Sequence, residues 1–358
     1  MGRARVIGVI GAASAALVAC SLVVDTSGLG GGSGASGSDA APPAEASSDA
    51  PVSGSDAGVD AFVKRADPSW VQATDRGPPG RHSMGMAFDG TGLVMYGGTV
   101  GQNASVLSDT WRWDGTSWSQ RSPAQSPRGT YGHVLLTGPN GAVWMLAGRT
   151  NDSSGFAWDG TTWSPLLGGY PTENTAMVAY DPDRKLAIVL DVDNTAKTLR
   201  HWEYDGAGFR KIALAVPPYR RGARMAYDSA RKRVVLFGGR GPSDTLADTW
   251  EFDGAAWAAR TPPTSPPERQ GYCMAFDPSR NVTVLFGGTG GTGVGLLADT
   301  WEWDGNAWKE GPPGPPKRRS CALAYDPIRR RIVLFGGVYG VSGDGGYWNG
   351  AREDTWLY

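Results

Sequence analysis

Six matching positions in the chain carry side chains able to do ionic chemistry. Arg81, Arg128, Glu173, Arg220, Arg269 and Arg318 each stand seven residues before Phe88, Leu135, Tyr180, Tyr227, Phe276 and Tyr325. Five guanidinium groups gathered at one place form a fork-shaped receptor for carboxylate, phosphate or sulfate. Glu173, between Arg128 and Arg220, is the position where acid–base work on a bound substrate would be sought. A second feature is aromatic. Tyr347 and Trp348 lie in VYGVSGDGGYWNGARED, a stretch no other part of the chain matches. An exposed Tyr–Trp pair beside arginines has the composition of a binding hot spot.

Other chemistry is sparse. The three histidines, His82, His133 and His201, are far apart and without metal-ligand spacing. Asp191 and Asp193 in DVDNTA lack the ligands and glycine that a calcium loop places next, so no metal is expected. There is no GxSxG, no HExxH and no phosphate-cradling loop, and no cofactor is expected.

A repeat positions these residues. The phrase WRWDGTSW at Trp111 returns as FAWDGTTW, HWEYDGAGF, TWEFDGAAW and TWEWDGNAW, and stops short at TWLY. An apolar run precedes each phrase: MYGG, MLAG, IVLD, LFGG, LFGG and LFGG. Six units of about 48 residues result, a period at which stacked repeats are expected. Each unit predicts four short strands. Asp-Pro starts the first turn, the apolar second strand is buried on both faces, and Asp-Gly marks the last hairpin. Thirteen of fifteen tryptophans sit on the phrase or on its N-terminal counterpart, DPSWVQAT. Residues that recur in every unit fill equivalent spaces, so the phrase reads first as fold-building.

Paired glycines after an apolar strand, followed by an aromatic-rich strand, resemble kelch repeats over Asp67–Tyr358. The resemblance implies an all-β fold, a six-bladed β-propeller. The last unit lacks a fourth strand and the segment around Trp70 matches one, so an N-terminal strand is expected to close the last blade. In kelch-like folds the arginines also serve structure, bonding carbonyls and acids between blades, and that role stands first. The third unit departs: its glycine pair reads Leu190-Asp191, with Asp193 following and Glu173 replacing the arginine, an acidic sector in a basic mouth. Kelch-like copper oxidases need a histidine pair and a cross-linked tyrosine–cysteine, which nothing here matches. Kelch-like sugar mutarotases or epimerases remain the enzymatic alternative, with Glu173, Arg128 and Arg220 as the candidate trio.

The N-terminus reads as an address. MGRARVIGVIGAASAALVAC has a basic head, a short apolar run and LVAC, which resembles the lipobox of bacterial lipoproteins. Residues 1–20 are therefore expected to be a signal peptide, with Cys20 lipidated. Ser21 after the cysteine favours the outer membrane. Residues 21–66 are dominated by Gly, Ser, Ala, Pro and Asp. They cannot bury enough apolar surface to offset ordering, and are expected to be a disordered tether. The head, 67–358, is only mildly basic, which gives no argument for nucleic acid. Cys273 and Cys321 fall on opposite faces of adjacent inner strands. A disulfide and two buried thiols are both open. The expected protein is a monomeric, membrane-anchored binding module for a protein or glycan, anionic if the arginines take part.

Overall fold

The computed structural model describes residues 68–73, 77–101, 105–148, 155–169, 176–341 and 348–358. The leader, Cys20, the tether, Glu173 and Tyr347 lie outside the described residues.

Six four-stranded antiparallel sheets follow one another along the chain. Their innermost strands are Gly85–Phe88, Val134–Thr137, Ala176–Asp181, Arg224–Asp228, Cys273–Asp277 and Ala322–Asp326. Each packs against the next, and the sixth meets the first, so the blades form a closed ring around a central channel. In the first blade the order is Gly85–Phe88, Leu93–Tyr96, Thr110–Trp113 and Trp118–Arg121. The second strand of each blade is the driest part. Leu93 to Tyr96 and Val235 to Phe237 are wholly buried, as expected for a strand covered on both faces.

The sequence builds the turns locally. In DGTS, Asp114 Oδ1 accepts the backbone N–H groups of Thr116 and Ser117, and Gly115 takes φ 102°, open to a residue without Cβ. Asp159, Asp205, Asp253 and Asp304 repeat the arrangement. The inner-strand turns also rest on aspartates. Asp181, Asp228, Asp277 and Asp326 are buried, each in an ion pair with the arginine three residues on; the carboxylates of Asp181, Asp228 and Asp326 accept two backbone N–H groups, and that of Asp277 accepts the Ser279 N–H and hydroxyl.

The sixth blade is completed from the N-terminal side. Val71 pairs with Leu357 and Gln72 with Trp356, and Ala73 donates to the Thr355 carbonyl at 2.9 Å. Trp70 stacks on Tyr358 with ring centroids 4.7 Å apart.

Two units depart from the register read in the sequence. Val134 pairs with Leu146 and Thr137 with Val143, whereas Gly85 pairs with Tyr96 and Phe88 with Leu93. Thr137, not Leu135, therefore stands where Phe88 stands in the first blade. In the third blade Leu190 pairs with His201, as Tyr96 pairs with Thr110, so Asp191-Val192 replaces the glycine pair rather than Leu190-Asp191. The long stretch after the last glycine pair is not wholly loop. Val338–Val341 and Trp348–Ala351 form a hairpin.

Candidate functional site

The repeated arginines are engaged inside their own blades. Arg81 forks onto Asp109 at 2.5 and 2.8 Å, Arg220 onto Asp248 at 2.7 and 2.8 Å, and Arg269 onto Asp299 at 2.7 Å twice. Arg318 forks onto Asp354 at 2.5 and 2.7 Å. Each guanidinium also donates to the carbonyl of the first paired glycine and to that of a proline two residues back. All four arginines are at most 1% exposed. The aspartates belong to the repeated phrase itself, and each accepts the indole N–H two residues on, from Trp111, Trp250, Trp301 and Trp356. Burial alone would raise these carboxyls. The arginine fork and the indole outweigh it and hold them below the usual range. The fork-shaped anion receptor expected from these arginines is therefore filled from within.

The remaining expected site residues scatter. Thr130, not Arg128, matches Arg81: Gly98 donates to the Thr130 carbonyl as Gly337 donates to that of Arg81. Arg128 is exposed two residues earlier. With Arg220 buried in its fork, the trio expected for acid–base work is not assembled by Arg128 and Arg220. Asp191 is buried and paired with Arg200 at 2.5 Å, and Asp193 shares the same guanidinium at 3.5 Å. The acidic sector expected at the mouth is neutralised at these two positions. Trp348 opens the second strand of the terminal hairpin, opposite Val341.

The mouth itself is built by residues that sequence reasoning passed over. Gly132 donates to the Ser83 carbonyl, Ser83 to Ser320, Ser320 to Gly271 and Gly271 to Gly222, at 2.7 to 2.8 Å. This head-to-tail run of backbone bonds links five blades where the inner strands begin. All five residues have positive φ, including Ser83 at 57° and Ser320 at 55°, where a Cβ is disfavoured. Immediately before them stand His82, Tyr131, Arg221, Gln270 and Arg319, one position after the structural arginine or Thr130. His82, Arg221, Gln270 and Arg319 bridge by backbone to the segments after the glycine pairs. Arg221 is exposed and makes no ion pair among the described residues. Arg319 lies 3.5 Å from Thr289 Oγ1. Burial first, and then the charge of Arg319, lower His82 against one raising backbone bond, which favours a neutral imidazole there.

Below the mouth the inner strands enclose a cavity of about 510 Å³. The chain is a six-bladed β-propeller. Solved structures agree: 391 chains match, among them one described as "Structure of YjhT", at 13% identity and TM-score 0.59. That match covers 78% of this chain and 95% of the other. At that identity it bears on the fold alone. No protein-family model and no curated protein matches the chain.

The propeller channel is walled by Met86, Ala87, Leu135, Val178, Ala226 and Ala324, among others, and by the aromatic residues at the far ends of the inner strands. Among the described residues that line it, Arg224 is the one that carries a permanent charge. His133 also lines it but is neutral: burial drives its imidazole down to about 4, the Arg224 charge adding to the effect against a bond to the Tyr96 carbonyl. Its Nε2 lies 3.1 Å from both the Gly85 backbone nitrogen and the Tyr96 carbonyl oxygen, accepting from the first in one tautomer and donating to the second in the other. Arg224 was legible. At the matching position the other blades carry Gly85, Val134, Met177, Cys273 and Ala322, so one arginine interrupts an otherwise uncharged set. Cys273 and Cys321 are joined as a disulfide between the fifth and sixth inner strands, Cα atoms 5.8 Å apart.

Proposed function

We propose that this propeller, of kelch type, is an extracytoplasmic binding module that takes an anionic protein or glycan partner at the mouth carrying Arg221 and Arg319. One observation supports this reading above others. Asp109, Asp248, Asp299 and Asp354 are each matched by a buried arginine, while the exposed Arg221 makes no ion pair among the described residues. Charge at such a rim steers an oppositely charged partner and sets its orientation. The positive-φ backbone ring holds the rim residues at fixed spacing, which lowers the ordering cost of binding. In this reading the lipobox cysteine, Cys20, carries a lipid and residues 21–66 tether the head to a bacterial outer membrane.

The experiment is a glycan and protein array probed with wild type and with Arg221→Ser/Arg319→Ser. The reading expects capture of an anionic partner that the double variant loses while neutral background stays the same. Capture insensitive to both substitutions would reject the mouth as the site. The anchor is tested apart from this: Cys20→Ser should move the protein from the membrane fraction to the soluble one.

A further inference from the structure

Arg224 is a charged group in the wrong solvent. It opens the inner strand of the fourth blade and lines the channel, among methionine, leucine, valine and alanine side chains. Among the described residues its guanidinium makes one long hydrogen bond, 3.4 Å, to the carbonyl of its own neighbour Ala223. No carboxylate pairs with it among the described residues. Arg224 itself is half-buried on the channel wall; Arg81, Arg220, Arg269 and Arg318, which are fully buried, each have an aspartate. A guanidinium partly withdrawn from water against an apolar wall, without an anion, is costly, and folds that keep one usually supply the anion. Burial lowers the Arg224 guanidinium, with the neighbouring Tyr272 opposing, yet a guanidinium keeps its proton in proteins. Its nearest titratable neighbours are Tyr272 of the adjacent fifth blade, whose hydroxyl accepts the Arg224 backbone N–H at 3.0 Å, and His133 of the second blade, whose imidazole its charge lowers. Neither can neutralise it: His133 is neutral, and burial pushes the Tyr272 hydroxyl well above its usual range.

The rest of the tube is shaped for an apolar chain. Inner strands of four to six residues, at roughly 3.3 Å each, make a channel about 13–20 Å long. Its far end is collared by Phe88, Tyr180, Tyr227, Phe276 and Tyr325, which line the same cavity. One end thus offers a lone cation, the length offers apolar wall, and the other end offers aromatic faces.

We infer that the channel binds an amphipathic monoanion, a medium-chain or aryl-alkyl carboxylate, with its carboxylate on Arg224 and its apolar part directed to the aromatic collar. The inference rests on the reading of the propeller as a binding module for anions, and it names a second, interior class of ligand. A two-pronged guanidinium matches a carboxylate, and low dielectric around the pair strengthens the bond.

The test is calorimetric titration of the full chain, stripped of bound lipid, with decanoate, decanol and citrate. Decanoate should bind at least tenfold more tightly than decanol, and citrate, which has no tail, should not compete with it. Arg224→Met should reduce decanoate to the level of decanol. Arg121→Met, on an exposed outer strand, should leave the difference intact. Because Arg224→Met removes an unpaired charge from an apolar wall, it should raise the melting temperature. Equal affinities for decanoate and decanol, no binding of either, or decanoate affinity retained in Arg224→Met would overturn the inference. So would a fall in melting temperature in that variant, which would assign Arg224 to the fold. An array partner that Arg224→Met still captures, with decanoate unbound, leaves the mouth reading standing and removes only the channel ligand.

Discussion

The indole N–H of Trp70 donates to Thr300 Oγ1 at 2.9 Å, across 230 residues of chain. A bond of this kind links five of the six blades to the one before. Trp118 donates to Thr355, Trp163 to Thr110 and Trp308 to Thr249, and Trp257 donates to His201 Nδ1, the third blade's substitute for threonine. The sixth junction lacks both halves. The third blade carries Phe209 at the tryptophan position, and the second carries Gly155 at the threonine position. No donor and no acceptor is left over. The repeated phrase thus has three tasks in DTW: aspartate holds the arginine, threonine receives the neighbouring blade, and tryptophan steadies the aspartate.

Removal of Trp70 should open the ring. Trp70→Ala deletes the indole bond and the stack on Tyr358, and should cost about 3 kcal/mol in urea unfolding, near the lower end of buried large-to-small aromatic changes. A chain cut after Thr74 should lose at least as much, while one cut after Asp60 should lose little. Equal midpoints for the two truncations would contradict closure by this strand.

The buried forks predict stability effects, not affinity effects. Arg269→Met leaves Asp299 without its two-pronged partner and should cost about 3–5 kcal/mol. Arg221→Ser, on the exposed rim, should change stability by less than about 0.5 kcal/mol. Comparable losses in the two variants would remove the distinction between structural and rim arginines.

Acid should destabilise the fold in two stages. Burial first, against a charge contribution from Glu203, brings His201 to about 4 in the native state; His133 is likewise near 4. A native value below the unfolded 6.5 means that the unfolded chain takes up protons first as pH falls. That stability is complete above 6.5 and is lost between 6.5 and about 4, amounting to about 3 kcal/mol per histidine. The fork aspartates are lowered from 3.8, so their contribution is lost only below 3.8. Melting temperature should therefore fall from pH 7 to 4.5, and His201→Thr should make that slope shallower. An unchanged slope would contradict the burial of a neutral His201.

Reduction of Cys273–Cys321 should loosen the fifth and sixth blades. Closing a loop of 48 residues restricts the unfolded chain by about 4 kcal/mol in the chain-entropy account. Cys321→Ser should shift the urea midpoint down and make it insensitive to dithiothreitol. A wild-type midpoint equally insensitive to reductant would show that the bridge contributes nothing.

Much of the architecture was legible because the turn chemistry repeats with the strands. Asp-Gly marks the last hairpin of five blades and Asp-Pro the inner turn of three, and the stray N-terminal match at Trp70 announced how the ring closes. Register in the second blade was not legible. HVLLT carries no aromatic to mark the position of Phe88, and only the pairing of Val134 with Leu146 fixes it. The arginines were found, but their partners were not. Asp109, Asp248, Asp299 and Asp354 lie 28 to 36 residues downstream, beyond loops of unequal length. Reading the repeated position as the site also drew attention from the positions that vary, Arg221, Arg319 and Arg224, where a fold leaves room for function.

The most direct measurement of that division is the affinity of an array-identified anionic partner for wild type and for Arg221→Ser/Arg319→Ser, with melting temperatures taken on the same samples. The account predicts a loss of affinity of tenfold or more, at least about 1.4 kcal/mol, at an unchanged melting temperature. Undiminished affinity, or a loss that follows unfolding of the head, would contradict the assignment of binding to the rim.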